Sequence, residues 1–456
     1  MSTAPRRRVT GYPSTSGDDV QLNTTTLIRH AARTHGDQEI VYRTPDGGWD
    51  RYTYAEAYER IRRAANAMTG LGVSPGDRVG VIDWNSRRHY ELYWAIPGIG
   101  ATMVQVNLRL APEDLVHVLT DSGCTTVFVD ESLLRHAEVI APRLPEVTTW
   151  VVMTDRPLSE IETTLPGVRH YEDLLASASP DVDWPEVEET SAYGACYTTG
   201  TTGRPKGVEI THGNWAYQCW ALLENEIGRV SYPGQRMVTF LPLAHVLARA
   251  VSLAWTISGA TQSHWSDTST LMVELQRVRP NLVVGVPRVF EKVREGAYNK
   301  AADGSAIGKR MFLEAEKAAI EYSKALDTPE GPSRAQKAKR AVYDKVVYGK
   351  IKEAMGGSVW YGITGGSAMS ADLSHFFRGM GVPIYEGYGL TETCAAACVN
   401  NAHANTIGTV GRPVNGYSVR INDDGEIEFK GPGVFEKYWG NPAATEEALT
   451  DGWFNT

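Results

Sequence analysis

The chain has 456 residues, of which 42% are hydrophobic and 22% charged, and its formal net charge is -9, from 54 acidic and 45 basic side chains. This is globular composition, in a chain long enough for about three domains or subdomains, and its acidic balance argues against nucleic acid as a partner because phosphate backbones attract basic surfaces. Five cysteines are too few for a disulfide framework, and no apolar run is long enough to span a membrane. We therefore expect a cytoplasmic protein.

The first half of the chain alternates predicted strands and helices. Residues 1–22 are expected to be an N-terminal tail, and residues 23–235 a first α/β region. Thr53 and Glu56 have the spacing of a capping box and predict a helix that runs to about Gly70. Strands are predicted at 78–82, 102–106, 125–129 and 193–197, and helices at 90–95 and 112–119. This alternation predicts a parallel sheet with helices on both faces, in which ligands bind at the carboxyl ends of the strands.

The second half repeats this alternation and then changes character. A second α/β subdomain is expected over 236–416, with a helical insertion at 299–355 that a Pro- and Gly-containing turn at 328–333 divides into two long helices. Its strands are predicted at 237–241, 282–286, 359–363 and 382–385. Residues 417–456 are expected to form a small β subdomain, because Asn422 to Gly425 read as a hairpin turn between alternating residues.

The segment from Tyr197 to Gly207 places hydroxyls, glycines and one lysine in a single short loop after a predicted strand. Glycines let backbone N–H groups approach a ligand closely, and successive N–H groups form an anion-binding concavity. Lys206 adds a mobile cation. Pro205 before this lysine and Gly207 after it exclude a Walker A motif. The segment therefore predicts a cradle of another type for the phosphates of a nucleotide.

Two further segments follow predicted strands and could complete a nucleotide site. In the segment 385–393, the paired glycines free the backbone around Tyr388, whose ring could stack on a purine. Thr391 offers a hydroxyl to a phosphate, and Glu392 a hard oxygen for magnesium. The segment 361–367 ends in a Gly-Gly turn suited to a flat ligand. Taken alone, Tyr388 would more often be a core residue, and Glu392 a residue at the start of a helix that the helix dipole favours.

In this order and approximate spacing, the three segments resemble the adenylate-forming superfamily of acyl-CoA synthetases, adenylation domains and luciferases, and the resemblance covers nearly the whole chain. It implies an α/β fold with two doubly wound sheets and a small distorted β-barrel subdomain. It also implies that Thr198 and Glu392 hold magnesium, that Thr391 contacts the α-phosphate and that Tyr388 stacks on adenine. The other residues that it implies for ATP binding are Thr199, Gly200, Thr201, Thr202, Gly203, Lys206, Gly365, Gly366, Ser367, Glu386, Gly387 and Gly389.

Within the superfamily, the segments 241–249 and 286–293 and the helical insertion after them resemble long-chain fatty acyl-CoA synthetases. This resemblance implies catalytic roles for His245, Lys206, Thr391 and Glu392. The residues implied for binding the acid are His245, Arg249, Val286, Gly362 and Gly387. An amino-acid-activating domain fits less well, because the surroundings of His245 in the sequence contain no carboxylate to pair a buried ammonium group.

The resemblance implies a reaction in two steps, in which a fatty acid is activated by ATP as acyl-AMP and the acyl group then passes to coenzyme A. Fatty acid, ATP, magnesium and coenzyme A are the expected ligands, and a homodimer is possible. Family members usually continue into a small domain with a catalytic lysine, so we expect low activity from this chain alone. A fatty acyl-AMP ligase, an aryl-CoA ligase and a non-catalytic nucleotide-binding sensor remain alternatives.

Overall fold

The computed structural model describes residues 21–44, 47–198 and 203–456. Helices are numbered here in chain order, as α1 (Thr24–Thr34), α2 (Tyr54–Gly70), α3 (Arg87–Gly98), α4 (Pro112–Ser122), α5 (Leu134–Ile140), α6 (Tyr171–Ser177), α7 (His212–Leu223), α8 (Val246–Ser258), α9 (Leu271–Val278), α10 (Pro287–Gly304), α11 (Ala306–Ala325), α12 (Arg334–Tyr343), α13 (Gly349–Ala354), α14 (Ala371–Met380) and α15 (Pro442–Ala448). None of the helices in the described ranges combines the length and the apolarity that crossing a membrane requires.

The strands of the described residues follow the same numbering, as β1 (Glu39–Arg43), β2 (Trp49–Thr53), β3 (Arg78–Ile82), β4 (Thr102–Gln105), β5 (Thr126–Asp130), β6 (Thr149–Met153), β7 (Val168–His170), β8 (Ala192–Thr198), β9 (Lys206–Thr211), β10 (Arg236–Thr239), β11 (Thr261–His264), β12 (Leu282–Gly285), β13 (Tyr361–Thr364), β14 (Ile384–Leu390), β15 (Ala395–Val399), β16 (Arg412–Pro413), β17 (Ser418–Ile421), β18 (Ile427–Lys430), β19 (Lys437–Tyr438), β20 (Leu449–Thr450) and β21 (Trp453–Asn455).

The first large sheet has the strand order β19-β9-β8-β4-β3-β5-β6-β7. The strands from β8 to β7 are parallel to their neighbours, whereas β9 and β19 add an antiparallel edge. Because the central strands β3, β4 and β5 are covered on both faces, almost all of their residues are buried. The predicted parallel sheet in the first half of the chain is therefore confirmed.

The second large sheet has the strand order β16-β15-β14-β13-β12-β10-β11-β1-β2. Its strands from β14 to β1 are parallel, and β15, β16 and β2 are antiparallel additions at the two edges. The early strands β1 and β2 thus extend a sheet that otherwise forms from the second half of the chain. A third, four-stranded antiparallel sheet follows, with the order β17-β18-β21-β20.

Local signals located several elements correctly. The Thr53 hydroxyl accepts a hydrogen bond from the Glu56 N–H, and the Glu56 carboxylate accepts one from the Thr53 N–H, so the predicted capping box opens α2. The predicted hairpin is formed by β17 and β18, where the Asn422 side chain accepts hydrogen bonds from the N–H groups of Asp424 and Glu426.

The helical insertion differs from the prediction of two helices over 299–355. Its first helix, α10, already begins at Pro287, whose fixed φ suits the first helical position. The chain then breaks at Ser305, whose hydroxyl caps α11 by accepting a hydrogen bond from the Gly308 N–H at 2.9 Å. After the predicted turn, α12 leads through a π-helical turn at Asp344–Tyr348 into α13. The turn was predicted correctly, but the start and the number of helices were not.

Candidate active site

A cavity of about 1350 Å³ is lined by residues from all three sheets. This volume exceeds the range of about 300–1,000 Å³ that is typical of small-ligand pockets, so the cavity can hold a ligand larger than a nucleotide. The sequence-predicted residues that line it are Thr198, Lys206, His245, Val286, Gly365, Gly366, Gly387, Tyr388, Gly389, Thr391 and Glu392. Residues up to 194 positions apart in the sequence, Thr198 and Glu392, therefore meet around one cavity.

The root of the predicted phosphate loop is a β-hairpin. Thr198 ends β8 and pairs with Lys206, the first residue of the antiparallel strand β9. The predicted ligand residues Thr199, Gly200, Thr201 and Thr202 lie outside the described residues. Gly203 is described and lines a smaller neighbouring pocket of about 340 Å³ rather than the large cavity. The hairpin thus holds the Thr198 hydroxyl and the Lys206 ammonium at the base of the loop.

The second motif is carried by β14 and the turn that follows it. β14 pairs with β15 through an irregular register between Tyr388 and Gly389. A Cβ atom at Gly389 would lie 1.8 Å from the Ala395 carbonyl oxygen, so only glycine fits this approach of two backbones. Cys394 and Ala395 then adopt positive φ angles of 53° and 92°. Such angles in residues other than glycine store strain and occur most often at functional sites.

Glu392 is 8% exposed and lies in this turn. Its Oε1 accepts a hydrogen bond of 2.8 Å from the Tyr438 hydroxyl, and its carbonyl oxygen accepts one of 2.7 Å from the Phe435 N–H. Burial, together with the negative charge of Glu392, raises the pKa of Tyr438, so its hydroxyl stays protonated and can donate. The carboxylate of Glu392 is therefore oriented before any ligand binds.

Tyr438 joins the two motifs, although no pattern in the sequence indicated such a role. Its strand β19 pairs with β9 through Val208, and the Lys206 ammonium lies 5.2 Å from the centre of its ring. Among the described residues, no carboxylate forms an ion pair with Lys206. Tyr438 thus contacts both the cation of the first motif and the carboxylate of the second, and both charges remain available to a ligand.

The adenine side of the predicted site is formed by two strand ends. Gly365 and Gly366 follow β13, and a Cβ at Gly365 would lie 3.2 Å from the Gly387 carbonyl oxygen. Tyr388 lines the cavity together with Gly365 and Gly366, and its ring centre lies 5.8 Å from that of Phe429. A flat ligand can lie between the Gly-Gly turn and the Tyr388 ring.

His245 lies at the start of α8, and its side chain lines the cavity. Loss of water around the ring lowers its pKa, and the positive charges of Arg109 and Arg249 lower it further. The imidazole is therefore neutral at pH 7. Many apolar side chains line the same cavity. The apolar residues there include Leu222, Ile227, Phe240, Leu241, Val246, Leu247, Leu271, Met272 and Val289.

Arg249 and Gly362, two predicted acid-binding residues, lie away from the cavity lining. Arg249 is completely buried, and its guanidinium carbon lies 5.3 to 5.6 Å from the ring centres of Tyr93, Tyr193 and Trp215. At Gly362, a Cβ would lie 2.7 Å from the Ile384 side chain, because this position packs inside the second sheet. Both positions are filled by core packing, so a direct contact with the acid does not follow from the structure.

Glu386 and Ser367 also lie outside the cavity lining. The Glu386 carboxylate accepts a hydrogen bond of 3.1 Å from the Met369 N–H, and its carbonyl oxygen accepts one from the Asn400 N–H at 2.9 Å. Glu386, which belongs to β14, therefore holds the turn that follows β13, and Ser367 is exposed on that turn. Arg109, Arg288 and Lys292, which the sequence did not single out, add positive charge to the cavity wall.

The residues at the polar end fit a magnesium ion that also binds phosphates. Glu392 supplies one buried carboxylate and Thr198 one hydroxyl on the same cavity. Across the described part of the chain, no three His, Cys, Asp or Glu side chains are grouped as a metal cage. Magnesium is commonly held by one or two carboxylates together with substrate phosphates. The arrangement therefore suits a metal that arrives with a nucleotide.

Comparisons with known proteins agree with this geometry. A family model described as "AMP-binding enzyme" matches residues 28–439. The long-chain-fatty-acid–CoA ligase FadD15 of Mycobacterium bovis is 38% identical over 447 residues, which cover 95% of this chain and 71% of the relative. A long-chain-fatty-acid–CoA ligase of Thermus thermophilus is 28% identical and covers 98% of this chain and 76% of the relative. The crystal structure of the N-terminal domain of FACL13 from Mycobacterium tuberculosis matches with a TM-score of 0.73 at 23% identity and covers 95% of both chains.

Proposed function

The chain belongs to the AMP-binding enzyme family, and on that premise we propose that it activates a long-chain fatty acid with ATP as acyl-AMP, from which the acyl group passes to the thiol of coenzyme A. The observation that carries this proposal is a single cavity with two kinds of lining. Lys206, Thr391 and Glu392 line it, and so do His245 and many apolar side chains, among them Leu222 and Val289. A nucleotide triphosphate and an apolar acid can therefore meet in it.

In the first step, a carboxylate oxygen of the acid attacks the α-phosphorus of ATP, and the bond to pyrophosphate breaks. Two anions must approach each other, so catalysis consists mainly of positioning and of fixed positive charge. Lys206 would neutralise the phosphates from the base of the loop, and the Thr391 hydroxyl would donate to the α-phosphate. Both side chains line the cavity, and no ion pair among the described residues occupies Lys206.

We assign Glu392 and Thr198 to magnesium. When bound, the ion would supply positive charge to the phosphates. The role of the protein is to hold a negative oxygen ready, which the Tyr438 hydroxyl does by fixing the Glu392 carboxylate at 2.8 Å. Thr198 is held by its pairing with Lys206 at the end of β8.

We assign the acid to the end of the cavity beyond His245. Because its pKa is lowered, His245 is neutral at pH 7. It can therefore donate a hydrogen bond to the carboxylate of the acid without forming an ion pair that would hold it back from attack. The apolar side chains of the cavity, among them Leu222 and Val289, would contact the alkyl chain. Each methylene removed from water would stabilise binding by about 0.8 kcal/mol.

The test uses non-hydrolysable acyl-AMP mimics, in which a sulfamoyl group replaces the phosphate. We expect the dodecanoyl mimic to bind at least about a hundredfold more tightly than the acetyl mimic, since a few buried methylenes suffice for this difference. Isothermal titration measures both affinities, and AMP alone serves as the ligand without an acyl group. Equal affinities for the two mimics would refute a fatty acid as the substrate, and tighter binding of a benzoyl mimic would indicate an aryl-CoA ligase.

The reaction itself separates the remaining alternatives. Incubation with hexadecanoic acid, ATP, magnesium and hydroxylamine should yield the fatty hydroxamate, whereas a nucleotide-binding sensor would yield none. With a version of the enzyme that includes the small lysine-bearing domain of the family, addition of coenzyme A should yield acyl-CoA, whereas a fatty acyl-AMP ligase would require a carrier protein. The domain limits, a homodimer and the cytoplasmic location predicted from the sequence remain predictions.

A further inference from the structure

The region from α12 to the end of α13 differs in charge from the rest of the chain. Residues 334–354 contain seven lysines and arginines but only two acidic residues, Asp344 and Glu353. The remaining residues contain 52 acidic and 38 basic side chains. A compact basic segment thus stands on an otherwise acidic protein.

The second half of this segment is packed on one face and open to solvent on the other, whereas α12 itself buries no residue. Val347, Tyr348 and Ile351 are buried in the core of the second sheet, and the Tyr348 hydroxyl donates a hydrogen bond of 2.6 Å to the Ala315 carbonyl oxygen. Val342 and Val346, by contrast, are 61% and 39% exposed. The buried contacts fix which face the segment shows to the outside.

The open face is an apolar stripe with cations on both sides. Ala335, Ala338, Val342 and Val346 are all exposed and follow one another at intervals of three or four residues, so they lie along one side of the helix. Four exposed basic residues flank this stripe, with Arg334 and Lys345 on one side and Lys339 and Lys350 on the other. We call these eight residues the basic face.

The cations of the basic face are less paired than those of the neighbouring helix α11. Within the described ranges, none of its four basic residues forms an ion pair, whereas Lys352 on the same segment pairs with Asp344 at 2.7 Å. The neighbouring helix α11 shows how a solvated helix of this protein is built. There, Arg310 pairs with Glu314 and Lys317 with Glu321, each four residues apart. Among the described residues, the basic face has no such ion pairs and exposes valines in their place, although Lys339, after Arg310, contributes to lowering the pKa of Glu314 on α11.

We propose that the basic face docks on an anionic lipid surface. A helix with an apolar stripe between lysines lies in a membrane interface, because the stripe enters the boundary of the acyl chains while the lysine stems extend to the headgroups. The charge of the segment is complementary to such a surface, whereas the remaining acidic chain would be repelled, so the face also sets the orientation of docking. A nucleic acid would match the cations but would leave the exposed valines without a contact. The inference does not depend on which acid the cavity binds.

The experiment is flotation of the protein with vesicles of phosphatidylcholine that contain about one third phosphatidylglycerol. Each lysine near such a surface contributes about fivefold to partitioning, so the triple variant K339Q/K345Q/K350Q should lose at least tenfold. The double variant V342S/V346S, which keeps every charge, should lose about threefold or more, because it removes apolar contact. Binding of the unchanged protein should fall at high salt and should be absent on pure phosphatidylcholine.

The matched control is the triple variant K309Q/R310Q/K317Q, which removes the same net charge from α11. It should bind the vesicles within about twofold of the unchanged protein. The proposal is overturned if this control loses as much binding as the variant of the basic face, or if the unchanged protein does not float with anionic vesicles. The proposal would also be overturned, in favour of nucleic acid, if the unchanged protein bound a DNA duplex but not vesicles and the triple variant of the basic face lost the DNA binding. Circular dichroism melting of every variant confirms that each is folded.

Discussion

Replacing Glu392 by glutamine tests the magnesium assignment while the shape of the site is kept. The side chain is 8% exposed and accepts a hydrogen bond from Tyr438 at 2.8 Å. A glutamine oxygen can still accept this bond, so the turn after β14 should keep its conformation. The substitution therefore removes the negative charge and little else.

The size of the effect follows from what the charge contributes. Interactions with a charged group contribute about 1.5–3 kcal/mol, against about 0.5–1.5 kcal/mol for a neutral pair. Losing the charge should therefore cost about 1–2 kcal/mol of ATP binding when magnesium is present, which is about five- to thirtyfold in affinity. Without magnesium, the sign reverses, because the carboxylate then repels the phosphates and its removal should improve binding.

The assay is isothermal titration of ATP with magnesium and again with EDTA, together with thermal unfolding. Glu274→Gln is the matched control, since Glu274 is 5% exposed and pairs with Arg277 at 2.8 Å but does not line the cavity. It should leave ATP affinity unchanged in both conditions. If Glu392→Gln weakens binding equally with and without magnesium, or mainly lowers the melting temperature, Glu392 supports the fold through Tyr438 and the magnesium assignment is wrong.

Two predictions concern stability. Gly389→Ala would place a Cβ 1.8 Å from the Ala395 carbonyl oxygen and should lower the free energy of unfolding in urea by about 3 kcal/mol. The control Gly296→Ala lies at an exposed helical position where no atom of the described residues is within 4 Å of the new Cβ, and it should raise that free energy by about 0.5–1 kcal/mol. Equal effects of the two substitutions would contradict the close approach of β14 and β15. Burial lowers the pKa of His264 from 6.5 to about 4, and neither ring nitrogen has a hydrogen-bond partner among the described residues. As the pH falls, this histidine therefore takes up a proton in the unfolded chain before it does so in the folded protein. Unfolding free energies measured from pH 7 to 4.5 should show that the stability of His264→Phe relative to the unchanged protein rises by about 1.4 kcal/mol per pH unit below pH 6.5. A stability difference that does not vary with pH would refute a neutral, buried ring.

Features decided by neighbouring residues could be predicted from the sequence. The capping box needs only Thr53 and Glu56, and the hairpin of β17 and β18 needs only the turn from Asn422 to Gly425. The segment predicted to bind phosphates follows a strand end as expected, since β8 ends at Thr198. In each case the sequence separation is short, so local geometry and pattern agree.

Features decided by long-range pairing could not be predicted. The strand of Tyr438 pairs with β9, more than 200 residues earlier in the chain, and no pattern around Tyr438 states this partner. Likewise, the burial of Arg249 depends on Tyr93, Tyr193 and Trp215 from three separate segments. An isolated arginine in a sequence is most often exposed, so its position in the core follows from the packing of those rings and not from its neighbours.

The position of Tyr438 also bears on how the two halves of the polar end are kept in register. Thr198 and Lys206 belong to the first sheet, whereas Thr391 and Glu392 follow β14 of the second. Tyr438 belongs to the first sheet through β19 and donates its hydroxyl hydrogen bond to Glu392 of the second. A catalytic geometry tolerates errors of only about 1 Å, and this bond spans the boundary between the sheets at the place where the phosphates would bind. The same hydrogen bond that orients the carboxylate therefore also fixes its distance from the lysine of the phosphate loop.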